Sequence, residues 1–146
     1  MRLPDPEPGL VIRYAYLWRW EADQGREGAR KDRPCAVILA INRMKEVATV
    51  YVAPITHTPP PSAASGLVVP PGAKRRLGLG LAPSWIITTE FNSFAWPGSD
   101  LRKIGPSDPE SAIAYGQLPN SATERMLESF RKNLRAGRAR VVRRSE

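Results

Sequence analysis

Apolar and β-branched residues in this chain come in short runs broken by prolines, glycines and charges, and only one stretch carries a helical period. Residues 9–18 (Gly-Leu-Val-Ile-Arg-Tyr-Ala-Tyr-Leu-Trp) open behind a Pro-Gly break and read as a strand. Residues 19–32 are highly charged and hold Gly25 and Gly28, which predicts a long surface loop. Two apolar runs, 34–41 and 47–54, flank the polar connection Asn42-Arg43-Met44-Lys45-Glu46 and predict an antiparallel hairpin. Pro59-Pro60-Pro61 is a stiff segment that cannot join a sheet. Beyond it, 66–69 and 84–90 predict strands, 91–96 continues the sheet after a bend, and 101–104 makes a last short strand. Residues 71–79 predict one helical turn with Lys74, Arg75 and Arg76 exposed.

The long helix is expected over 122–134. Ser121 and Glu124 have capping-box spacing, and Thr123, Leu127, Phe130 and Leu134 recur as one apolar stripe. Gly137 stands where a helix-ending glycine belongs, and the basic residues after it are expected to fray. Together these elements predict a mainly β, mostly antiparallel domain, a barrel closed by one C-terminal α-helix. The domain is expected over 1–136, with 137–146 as a basic C-terminal tail.

A chain of 146 residues has room for one core and not comfortably for two. No apolar run approaches the roughly 18–20 residues needed to span a bilayer. The first eight residues carry acids and prolines where a secretory signal would be apolar, so no membrane partner and a cytoplasmic location are expected. Cys35 is the only cysteine, which rules out an intrachain disulfide and a multi-thiolate zinc cage; within Cys-Ala-Val-Ile-Leu-Ala it reads as a small buried hydrophobe. With one histidine and no ligand pair at metal spacing, no metal or other cofactor is expected. The net charge of +8 points towards a nucleic acid, yet residues 131–146 supply seven bases against one acid, and the body is nearly balanced. Charge alone lets the tail touch an anion and says little of the body.

Three segments, in order, resemble the PemK/MazF toxins of type II toxin–antitoxin systems. A charged loop ends in Asp32-Arg33-Pro34 and enters an apolar strand at Cys35, similar to the Arg-Pro pair opening the family's second strand. The next strand ends in Pro54-Ile55-Thr56, which looks like the family's Pro-x-Thr signature, and residues 84–90 resemble a later strand that ends at an acid, here Glu90. The similarity spans most of 9–130. It implies an SH3-like barrel, a homodimer, and metal-independent, sequence-selective cleavage of single-stranded RNA. It also implies a cognate antitoxin whose extended acidic segment occupies the RNA groove.

Metal-free RNA cleavage uses the 2′-hydroxyl as nucleophile. The enzyme must align it, remove its proton, protonate the leaving 5′-oxygen and offset phosphorane charge. Arg33 suits phosphate recognition, with a loop arginine paired to Asp32 as the plainer alternative. The resemblance implies that Thr56 hydrogen-bonds the scissile phosphate, with an ordinary strand-end threonine as the plainer alternative, and neighbouring His57 could serve as general acid or base or be merely a solvated loop residue. Glu90 would act as base or hold Arg33 in place. Some family members have an arginine where this chain has Thr88, so the acid for the leaving group is left to His57 or Arg33. Trp18, Trp20 and Trp96 are candidates to stack on unpaired bases, whereas Trp85 is expected in the core. Arg19, Arg26, Arg30 and Lys31 could track phosphates. Competing readings are a CcdB-like toxin that poisons gyrase, a non-catalytic SH3-like module binding nucleic acid, and a degenerate toxin that retains only its antitoxin.

Overall fold

The computed structural model of the chain describes residues 3–26, 31–43, 47–105 and 112–144. The predicted hairpin is the backbone of the fold: β2 (Arg33–Arg43) and β3 (Val47–Thr56) pair antiparallel from Cys35–Pro54 outwards, with an irregularity between Val37 and Leu39. β1 (Leu10–Tyr14) pairs with β2 on one side and with β7 (Ala114–Gln117) on the other. Beyond β2, strand β3 serves two partners. Its first half pairs with β6 (Glu90–Trp96), while Ile55 and Thr56 pair with β5 (Trp85–Ile87), which in turn pairs with β4 (Gly66–Val68).

This division explains the break between the two strands expected as one sheet path. A straight strand over 84–96 would overlap both halves of β3 on one plane. Instead the chain breaks at Thr88 and Thr89, and β5 and β6 pair with separate stretches of β3. β8 (Arg140–Arg143) lies parallel to β6, with Glu90 opposite Arg140, so the expected fraying of the basic end is overturned. A terminal strand gains a ladder and an apolar contact through buried Val142, and both outweigh its charge.

The result is a mainly β fold of eight strands among the described residues, with a C-terminal helix α3 (Asn120–Arg135). The barrel expectation is not met as a closed ladder: among the described residues β4 and β7 end the hydrogen-bonded path and do not pair. Residues 101–104 supply one isolated bridge, Tyr14 to Leu101, rather than a strand.

The sheet is buried on both faces, and strand alternation sorts the side chains. Val11, Ala36, Ala53 and Ile86 face α3 and the short helix α2 (Pro71–Leu77), packing on Ala73, Leu77, Met126 and Phe130. Ile12, Tyr14, Cys35, Val37, Val50 and Val52 face the other way and pack with Tyr16, Phe94 and Trp96. Cys35 is fully buried, as expected, and burial pushes its thiol well above the usual range. Gly9, at φ +92°, lies against the side chains of Thr123 and Gln117, where a Cβ has no room.

Helix α3 starts two residues earlier than the sequence signals suggest. Pro119 precedes it, no side chain caps it, and the Ser121–Glu124 capping box does not form. Thr123 and Phe130 are buried as expected and Leu127 packs against the core, but Leu134 is 57% exposed; the core face runs instead through Ala122, Met126 and Asn133. Gly137 follows the helix in the left-handed region (φ +71°), as expected. Among the described residues no helix is long and apolar enough to cross a membrane.

Candidate active site

Arg33 is the first residue of β2 and Thr56 the last of β3, each two positions beyond the Cys35–Pro54 pair, so the hairpin brings both to one end of the sheet. Glu90 opens β6 at that same end. There a cleft of about 770 Å³ is lined by Arg33, Thr56, His57, Glu90, Trp18, Trp20 and Lys31, with Pro59-Pro60-Pro61 as a rigid wall.

The Arg33 guanidinium lies over the Trp18 ring, its central carbon 4.9 Å from the ring centroid. Asp32, the alternative partner, pairs with Arg13 (3.8 Å) and Arg102 (3.6 Å). Arg33 thus keeps its charge unneutralised by its neighbour, and its buried Nε finds no hydrogen-bond partner among the described residues. A buried donor without an acceptor is costly, and the rest of the half-buried guanidinium borders the cleft, where an anion would meet its charge.

Glu90 does not hold Arg33. Its Oε1 accepts from the Tyr16 hydroxyl (2.9 Å) and from the Arg19 amide (3.0 Å). Burial raises the Glu90 carboxyl above its ordinary value, and those two hydrogen bonds oppose the rise without cancelling it. Burial also pushes the Tyr16 phenol up, and the neighbouring Glu90 charge adds to this, so Tyr16 stays a donor. With Oε1 engaged twice, Oε2 is the carboxylate oxygen left for a ligand.

The Thr56 hydroxyl accepts from the Thr58 amide at 3.1 Å, which leaves its own proton to donate. His57 is exposed, and its Nδ1 lies 3.0 Å from the Pro83 carbonyl and 3.2 Å from Ser84 Oγ. A carbonyl only accepts, so Nδ1 carries the proton and Nε2 is the nitrogen free to exchange one.

The segment that carries Trp18 is tied to β6 through Asn92 and to the residue after β8, Arg144. Asn92 Oδ1 accepts from the Leu17 amide (2.9 Å), and its Nδ2 donates to the Leu17 carbonyl (2.8 Å). Arg144 donates to the Ala15 carbonyl (2.6 Å) and pairs with Asp100 (2.8 Å). Glu21, buried in the short helix α1 (Arg19–Asp23), accepts from the Trp18 amide (3.1 Å). The predicted long loop therefore begins as a helix, and the backbone on either side of Trp18 is held by hydrogen bonds.

Not every candidate reaches the cleft. Trp96 is 9% exposed and packs near Phe94 in the core, so it is no base platform; its place at the end of β6 turns it inward against Ala48. Trp85 is half-buried rather than core. Arg26 is exposed just past α1 and does not line the cleft. Arg19 pairs with Asp23 (3.3 Å), reaches Glu90 through its amide and favours that carboxylate by its charge, but does not line the cleft. Arg30 lies outside the described residues. Lys74, expected exposed, is buried.

Sequence reasoning missed Tyr16, Ser84, Asn92 and Asn133. A polar residue inside an apolar run, such as Asn92 between Phe91 and Phe94, is a weak signal for a buried bracket. The others carry none, because their partners lie far along the chain. No family model, curated protein or solved structure matches the chain.

Proposed function

We propose that this chain is an endoribonuclease that cuts single-stranded RNA through its 2′-hydroxyl, without needing a metal for that step. The observation that supports it most is Arg33: stacked on Trp18, released by Asp32, its Nε unsatisfied, and set in a cleft with Thr56, His57 and Glu90. In this reading Arg33 grips the scissile phosphate and offsets phosphorane charge, and Thr56 donates its hydroxyl to a phosphate oxygen. Glu90 Oε2 takes the 2′-hydroxyl proton, and its raised pKa makes it a stronger base than an open carboxylate. The 2′-oxygen bonds to phosphorus, the bond to the 5′-oxygen breaks, and His57, acting as the imidazolium with both ring nitrogens protonated, hands that oxygen its Nε2 proton. The products are a 2′,3′-cyclic phosphate and a 5′-hydroxyl. DNA lacks the nucleophile and is spared. Trp20, 48% exposed, and Trp18 offer ring faces to unpaired bases, and Lys31 adds charge at the mouth.

The wider reading comes from the resemblance: the toxin half of a toxin–antitoxin pair, acting as a homodimer in the cytoplasm and held off by an acidic antitoxin segment in the cleft. The test of the chemistry is incubation with a mixed RNA pool in EDTA and mapping of the ends. Cyclic phosphate ends that disappear in Arg33→Ala support the proposal. RNA that is bound and left intact makes the chain a binding module, and arrested supercoiling with intact RNA makes it a gyrase poison. Growth arrest on expression, lost in Arg33→Ala and relieved by a co-expressed acidic partner, tests the toxin assignment.

A further inference from the structure

Two cationic side chains are deeply buried among the described residues, and they differ in what meets them. Arg144 has the Asp100 carboxylate. Lys74, 6% exposed, has only main-chain oxygens: its Nζ donates to the Leu81 carbonyl at 3.1 Å and to the Ala82 carbonyl. An ammonium withdrawn from water without a counter-charge is costly, and α2 already buries Ala73 and Leu77 to dock on the core. Docking the helix does not require the charge.

What the charge holds is the loop after α2. Gly78 (φ +70°) and Gly80 (φ +88°) turn this loop back, and its tip, Leu81, is 91% exposed, so apolar burial does little to fix the tip. From Lys74 a chain of hydrogen bonds runs to the cleft. Ala82 O accepts from Lys74 Nζ and from Ser84 Oγ (3.3 Å). Ser84 Oγ, its proton so committed, turns a lone pair to His57 Nδ1, beside the Pro83 carbonyl.

We propose that Lys74 is a positioning residue for His57: by clamping the Leu81 and Ala82 carbonyls it aligns Pro83 O and Ser84 Oγ as paired acceptors, which fixes the imidazole as its Nδ1–H tautomer with Nε2 turned to solvent and cleft. A neutral imidazole in water prefers the proton on Nε2, so the loop inverts the intrinsic preference. The consequence for catalysis rests on the nuclease reading. The tautomer does not.

The chain has a single histidine, so one pair of ring nitrogen signals in a long-range proton–nitrogen spectrum of the 15N-histidine-labelled protein, recorded with the ring neutral, reads the tautomer directly. Wild type should show the Nδ1–H form as the major species; a predominantly Nε2–H ring overturns the proposal. Lys74→Met, similar in shape and without donors, should shift the population towards Nε2–H while the amide spectrum stays folded. An unchanged tautomer in the folded variant also overturns it. Should Lys74→Met fail to fold, Lys74→Gln decides, since its amide reaches one carbonyl at best: an intermediate population supports the proposal and a wild-type one sinks it. In the RNA assay Lys74→Met should lower kcat by about tenfold to 10²-fold with KM little changed. A tautomer shift in a protein that never cuts RNA would discard the nuclease reading and leave the positioning role standing.

Discussion

The side chain of Asn133, inside helix α3, donates through Nδ2 to the main-chain carbonyl of Thr88 at 2.9 Å, at the turn where β5 gives way to β6. The same nitrogen reaches the Thr88 hydroxyl (3.1 Å) and the Ala64 carbonyl (3.0 Å), and Oδ1 accepts from Arg138 Nε (3.1 Å). Ser129, one turn earlier, meets the Thr88 hydroxyl at 2.7 Å. The helix thus pins the turn two residues before Glu90, and a cleft on the sheet inherits its geometry from a helix behind it. Thr88, fully buried and so engaged, is no proton donor to the cleft.

Asn133→Leu should therefore act at a distance. It strands the buried Thr88 carbonyl and leaves the Ala64 carbonyl and Arg138 Nε, both on exposed residues, to water, at a cost of about 1–3 kcal/mol for one unmet buried group. Denaturant unfolding measures that loss. RNA cleavage should also fall at a temperature where the variant is still folded, because Glu90 is no longer fixed.

Glu90 gives a pH prediction. Its folded-state pKa is raised above the unfolded value, so its contribution to stability is full below the ordinary carboxylate range and is lost as pH rises through the raised value. Glu90→Gln keeps an oxygen for the Tyr16 and Arg19 donors and removes the buried charge. Thermal unfolding followed across pH should show the variant at least as stable as wild type at neutral pH, with a flatter profile between mild acid and neutrality. RNA cleavage by wild type should decline in acid as the carboxylate takes a proton, and the variant should be inactive. A wild type that gains stability over that rise in pH relative to the variant would contradict the burial argument.

Arg33 and Trp18 should separate charge from placement. Arg33→Lys keeps the cation and loses the planar fork, so RNA binding should survive while the cleavage rate falls by about 10²–10³-fold, the scale of one removed transition-state donor. Trp18→Ala removes a stack of about 0.5–2 kcal/mol and should loosen both binding and rate. Binding by fluorescence anisotropy with a 2′-deoxy analogue, beside end-mapped cleavage, distinguishes the two.

The tryptophans should divide by location. Trp20→Ala is expected to weaken RNA binding by about 1–3 kcal/mol with no more than a small change in stability. Trp96→Ala should do the reverse, costing about 3–5 kcal/mol of stability through a core cavity.

The basic end should divide the same way. Arg144 is 4% exposed at its side chain, paired to Asp100 and stacked over Tyr14 at 5.5 Å. Arg144→Ala should cost about 3 kcal/mol or more, whereas exposed Arg143→Ala should stay within about 0.5 kcal/mol. Calorimetry of the two variants side by side is the check.

The chain's own pattern was enough for the hairpin of β2 and β3 and for a mainly β fold, because strand alternation and turn residues are local properties of consecutive residues; Arg33, Thr56 and Glu90 became candidates through the resemblance, and His57 through its own chemistry. Local patterns could not say that 140–143 forms a strand, since its apolar content is two valines, of which only Val142 is buried, and its partner lies fifty residues away. Nor could they tell Trp96 from Trp20, or a solvated Lys74 from one sealed beneath a loop. Those outcomes belong to packing: whether a side chain meets water or a carbonyl depends on which distant segment folds over it. The hairpin brings Arg33, Thr56 and His57 to one end, and the arrival of Glu90 beside them was likewise decided by the turn at Thr88 and the helix that pins it.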